Sequence, residues 1–143
     1  MNFEHLVSIT AYPEGAVSFA LPFRILKKYI KNTEVSVDES QGFSLRFESG
    51  KFKATESIDH TVNGYYYVDK FSWEIKRPKE IDIDYINKIT GKPHHLKFTF
   101  FGGSVMWLRA HEEGWTGGYI HDSDSCRIEL SAMTISGLQL LRT

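Results

Sequence analysis

Alternation with a period of two, broken at regular intervals by glycine, constrains this chain more than any other feature. Phe43, Leu45 and Phe47 alternate with Ser44, Arg46 and Glu48. Phe71, Trp73 and Ile75 alternate with Ser72, Glu74 and Lys76, and Leu96, Phe98 and Phe100 with Lys97 and Thr99. Cys126, Ile128 and Leu130 repeat the pattern around Arg127 and Glu129. Side chains on a strand point to opposite faces in turn, so each stretch reads as a strand with one buried face. Two longer stretches echo one another, Pro22 to Lys76 and Glu80 to Ala132. Each reads as an amphipathic helix, a glycine hairpin (Ser49-Gly50, then Gly102-Gly103) and a Tyr-led strand (Tyr65 after Gly64, Tyr119 after Gly118). The echo suggests a weak internal repeat, although antiparallel hairpins resemble each other by physics alone.

The remaining punctuation fills in the elements. Phe3 to Tyr12 and Ala16 to Leu21 read as strands joined around Pro13-Glu14-Gly15. Pro22 suits a first helical position, and Phe23, Leu26, Tyr29 and Ile30 recur at helical spacing up to Asn32. Val35 to Asp38 reads as a brief strand before a turn at Ser40-Gln41-Gly42. Ile81, Tyr85, Ile86 and Ile89 make a second helical stripe that stops at Thr90-Gly91-Lys92-Pro93. The alternation Ile81-Asp82-Ile83-Asp84 keeps a strand open there. Ile135 to Leu141 is a final apolar element. The expected fold is α+β: a mainly antiparallel sheet, as two layers or a partly closed barrel, with one or two short amphipathic helices.

Length and composition bound the rest. One hundred and forty-three residues suit a single domain over 1–143. A formal net charge of −1 supplies no field for nucleic acid or an anionic membrane. No apolar run is long enough to span a bilayer, and no basic, apolar leader begins the chain. A cytoplasmic location is the expectation. The one cysteine excludes an internal disulfide and a cysteine-based metal site; Cys126 lies on an apolar face and reads as a small buried hydrophobe.

Chemistry-bearing patterns are sparse. There is no phosphate-cradling glycine loop, and Gly102-Gly103-Ser104 is a hairpin turn rather than a nucleophile elbow. His94 and His95 point to opposite faces of a strand, which disfavours a shared metal. His111, Glu112, His121 and Asp122 flank one loop and could form a histidine–carboxylate cluster. Asp122-Ser123-Asp124 fits a turn that caps its own amides. The residues call for no cofactor and no metal.

The strongest asymmetry lies on the face opposite the core. In the first stretch that face carries Arg46, Glu48, Lys51, Lys53, Lys70 and Glu74, a mixed solvated set. In the second it carries Phe101, Trp107, Arg109 and His111, with Trp115 in the next loop as a wall. Trp and Arg are enriched at binding hot spots, and Arg offers a planar fork to phosphate or carboxylate. The alternative is that this face packs under another layer. The expectation is therefore a non-catalytic binding protein, recognising a partner protein or a small anionic or aromatic ligand through Phe101, Trp107, Arg109, His111 and Trp115. A hydrolase built on the His111–Asp122 cluster and a subunit of a homo-oligomeric assembly are the two alternatives.

Overall fold

The computed structural model describes residues 3–20, 28–110, 114–122 and 124–142. In chain order the strands are β1 (Leu6–Pro13), β2 (Val17–Phe19), β3 (Tyr29–Lys31), β4 (Val35–Val37), β5 (Phe43–Leu45), β6 (Lys53–Thr61) and β7 (Gly64–Lys76). Helix α1 (Glu80–Gly91) follows, then β8 (His94–Phe100), β9 (Val105–Leu108), β10 (Thr116–His121), β11 (Ser125–Thr134) and β12 (Leu138–Arg142). Three sheets result: six strands in the order β3-β12-β9-β8-β1-β5, four in the order β10-β11-β7-β6, and the ribbon β2-β4. Every pairing is antiparallel except β3 with β12. The protein is thus mostly β with one described helix.

The core forms where the six- and four-stranded sheets face each other. Leu96, Phe98 and Leu108 from one meet Phe71, Trp73, Ile75, Cys126, Ile128 and Leu130 from the other. Phe71 stacks on Phe98 at 5.2 Å between ring centroids, and Phe3 meets Phe98 edge-on at 5.4 Å. Offset and edge-to-face geometries of this kind are the favoured ones for aromatic pairs. These are the residues that the period of two assigns to the core face. Ile86 and Ile89 place α1 over one end of the same core, against β5 and β10. At the hairpin tip between β8 and β9, Gly102 and Gly103 both have φ of 94°, a region that side chains disfavour. That requirement explains the glycine pair.

The other face of the six-stranded sheet is also covered. Tyr12, Val105 and Trp107 pack with Ala16, Val17 and Ile30, and Phe19, Val35 and Val37 close over them. The ribbon β2-β4 is therefore a third layer. Among the described residues the six-stranded sheet is not closed, because β3 and β5 end it without meeting.

Several sequence expectations change. In the expected helix from Pro22, residues 21–27 lie outside the described set, but Tyr29 and Ile30 belong to β3. Their alternation, Tyr29 exposed and Ile30 buried, fits a strand that fills the edge beside β12. Ser49-Gly50 closes no hairpin: β5 pairs with β1 and β6 with β7, so the turn carries the chain between layers. Likewise β1 and β2 do not pair with each other. The echo has no common topology, since Gly64 opens β7 at a hairpin while Gly118 lies inside β10. On α1, Ile81 is half exposed and Asp82 is buried in its place. The Asp82 carboxylate accepts the Lys79 N–H at 2.8 Å and pairs with Arg46 at 3.2 Å. Arg46 also donates to the Lys76 and Arg77 carbonyls, tying the helix start to the end of β7. An acidic first turn balances the helix dipole, so the polar residue displaces the apolar one there.

Candidate functional site

The aromatic–basic stripe is divided among three environments. Phe101 sits in the hairpin turn after β8 and is 81% exposed. Trp107 leaves the main core, as alternation requires, but the ribbon covers it and it is 1% exposed. Trp115 lies in the main core, edge-on to Phe71 at 5.5 Å. His111 and Glu112 lie outside the described residues. Arg109 shares the Trp107 face and is buried; its guanidinium sits 4.3 Å from the Phe19 ring centre. Burial lowers its pKa to about 10, which still leaves it charged at neutral pH.

Around Arg109 and Trp107 a polar-aromatic cluster is assembled under the ribbon. Phe19 meets Trp107 at 89° and His95 at 64°. His95 accepts the Ala110 N–H on Nδ1 at 2.7 Å, so its proton lies on Nε2 and is donated to the Glu14 carbonyl. Burial pushes the His95 pKa down to about 4, reinforced by the Arg109 charge. Among the described residues Trp107 Nε1 is buried without a hydrogen-bond partner, and the Lys97 ammonium lies 5.7 Å from the Trp107 ring centre. The cluster has recognition chemistry, but the described ribbon covers it.

An open groove carries similar chemistry. It lies between the end of α1, the turn after β1 and the start of β5, with a volume of about 690 Å³. Phe43 lines it, its ring tilted at 32° to that of Tyr85 with centroids 4.5 Å apart. The Lys88 ammonium stands 5.4 Å from the Phe43 ring and 5.6 Å from the Tyr85 ring, a cation–π distance. Lys92, Glu14 and Gln41 line the rim. His94 packs edge-on to Phe43 at 5.6 Å. Its Nδ1 lies 2.8 Å from the Lys92 carbonyl, which can only accept; Nδ1 therefore carries the proton and Nε2 is an acceptor. Burial lowers the His94 pKa, which favours the neutral ring. His94 and His95 thus serve opposite faces of the sheet. The alternation predicts that split, whereas the gathering of Phe43, Tyr85, Lys88 and His94 has no signal in their spacing.

A second cluster has no motif to announce it in the sequence. Glu56 and Asp69 are directly opposite in the β6–β7 ladder, on its inward face. Asp69 is fully buried, hydrogen-bonds to Glu56, and has Thr134 Oγ1 at 3.5 Å. Burial, with the Glu56 charge beside it, pushes its pKa up to about 9. Glu56 stays ionised, its pKa lowered by Asp69, by the Leu138 N–H at 2.9 Å and by Lys28 at 3.3 Å, against the opposing effect of its own burial. Two close carboxyls that share one proton can serve acid–base chemistry. Here Asp69 has no surface to offer a substrate. Its position in phase with Phe71 is the signal that could have placed it inward.

The His111–Asp122 cluster is divided too. Within the described part, His121 is exposed and the Asp122 carboxylate turns back on its own loop, accepting the Asp124 and Ser125 N–H groups. Those bonds lower the Asp122 pKa. Among the described residues no three His, Cys, Asp or Glu side chains meet as a metal site, and no helix is long and apolar enough to cross a membrane. Cys126 is buried, and burial raises its thiol pKa.

The chain matches no protein-family model, and no curated protein or solved structure matches it.

Proposed function

We propose that this is a non-catalytic binding protein, and that it takes a small ligand combining a flat apolar ring with an anionic group in the groove beside α1. The observation that carries this reading is Lys88 poised beside the tilted Phe43–Tyr85 ring pair, with Lys92 and the His94 acceptor on the same groove. A ring would add to the aromatic surface, an anion would meet the lysines, and His94 Nε2 would accept one hydrogen bond. Pockets with a mainly apolar lining and a few converging polar groups are the usual form of a small-molecule site. Recognition thus shifts from Trp107 and Arg109, which the ribbon covers, to the described cleft with related chemistry. The partner-protein version of the reading is left with Phe101, which projects from its hairpin into solvent.

The test is an amide-shift titration with nucleoside monophosphates and triphosphates as probes. Binding here moves the amides of Phe43, Asn87, Lys88 and His94, weakens with added salt, and is lost in Lys88→Ala. Shifts confined to other surfaces, or none at millimolar probe, would reject the groove.

A further inference from the structure

The four-stranded sheet ends in β6, a nine-residue strand that among the described residues pairs on one side only. It is the longest strand at an edge of the described sheets. Long edges are usually blunted by proline, a bulge or a row of lysines. β6 has no proline or bulge and only Lys53 at its start, its one inward-facing charge, Glu56, is neutralised by Lys28 and bonded to Asp69, and its register with β7 runs unbroken from Lys53 to Thr61.

Which main-chain groups are unpaired follows from the hairpin. Thr61 and Gly64 flank the two-residue turn Val62-Asn63, and such a closing pair exchanges its main-chain bonds. Alternation along an antiparallel ladder then turns the N–H and C=O of Asp59 and Ser57 toward β7. Those of His60, Ile58 and Glu56 point to the open edge. Ile58 is 51% exposed and Val62 fully exposed, so the same segment also presents apolar surface to water.

We propose that β6 pairs antiparallel with β6 of a second copy, about a two-fold axis at Ile58, joining two four-stranded sheets into one of eight. The sequence is self-complementary in this register and in no neighbouring one. With Ile58 on the axis, Ile58 meets Ile58 and Glu56 meets His60 on the inward face. Ser57 then meets Asp59 on the outward face. No like charges oppose each other at this register; the Glu56 carboxylate stays turned to Asp69, Lys28 and the Leu138 N–H, so the contact rests on the paired main-chain edge and on Ile58 against Ile58. An axis at Ser57 would set Ile58 against Glu56. Axes at Glu56 or Asp59 would set carboxylate against carboxylate. A two-fold contact must be self-complementary, and this strand satisfies that condition at one position.

The experiment is sedimentation velocity on the full chain from micromolar to near-millimolar concentration. A reversible dimer is expected. Ile58→Pro deletes an N–H that β7 does not use, and proline is tolerated at such edge positions. It should weaken association about tenfold or more (about 1.4 kcal/mol) while leaving the thermal midpoint of the dilute monomer unchanged. His60→Glu, which sets a carboxylate against Glu56, should act likewise. Ile58→Cys tests the register without relying on weakened folding. Opposed residues in the bonded register lie about 5.5 Å apart at Cα, within disulfide reach. Since Cys126 is buried, oxidation of this variant should give one covalent dimer, and Asp59→Cys should give none. A wild-type monomer at every concentration overturns the proposal, as does a dimer that survives Ile58→Pro and His60→Glu. A dimer whose Ile58→Cys variant fails to cross-link overturns the register.

Discussion

The Glu56–Asp69 pair makes stability depend on pH in a direction opposite to that of an ordinary salt-bridged carboxylate. Asp69 has a pKa near 3.8 in the unfolded chain and about 9 in the folded one. Between those values the folded state holds a proton that the unfolded state has lost. The Asp69 contribution to stability therefore falls as pH rises, by at most about 1.4 kcal/mol per unit. Across about three units, from pH 5 to pH 8, this one group's contribution falls by about 4 kcal/mol, against a typical domain's total of 5–15. Glu56 is shifted downward, so its contribution is present above its unfolded pKa of 4.5 and is lost only below it, outside this window. Asp69→Asn keeps the shape of a protonated carboxyl and donates an N–H to Glu56 in place of the shared proton, but does not titrate. Its stability relative to wild type should rise steadily with pH. Urea unfolding of both proteins at three pH values between about 5 and 8 measures the difference. A wild-type–mutant difference that stays constant within about 0.5 kcal/mol across this range would refute the proton-sharing account.

Two further outcomes follow from the divided stripe and its neighbours. Trp107→Ala should cost about 3–5 kcal/mol by emptying the second core, while Phe101→Ala should stay within about 0.5 kcal/mol of wild type; thermal unfolding of the two variants checks the contrast. His95, its pKa lowered from 6.5 to about 4, stays neutral in the fold while the unfolded chain takes a proton. Its contribution is present above 6.5 and falls away as pH drops toward 4, by up to about 3 kcal/mol. Ring resonances of His95 that titrate near 6.5 in the folded protein would contradict this placement.

How far the sequence revealed this arrangement depends on what alternation encodes. A period of two says which face a residue takes, and it sorted Leu96, Phe98 and Leu108 from Trp107 and Arg109 correctly. It says nothing about which strand lies alongside. Phe43–Phe47, Ser49-Gly50 and Phe52 look like a hairpin, but the turn crosses between layers because β1 offers β5 an edge and β7 offers one to β6. Nor does it say what lies above a face. Trp107 was legible as facing away from the main core, yet its cover comes from β2 and β4, two three-residue strands too short to announce a sheet. Asp69 shows the converse. Its parity with Phe71 and Trp73 placed a carboxylate on the buried face in plain view, and such a group requires a partner or a proton. Register supplies both, by setting Glu56 opposite, and register is a property of two strands that neither strand's pattern contains. The groove has the same origin. Phe43, Tyr85, Lys88 and His94 come from three elements, and their meeting depends on α1 packing against β5 where β8 begins. A chemical site of this kind is therefore set by strand order, and the residues that carry it look ordinary until that order is known.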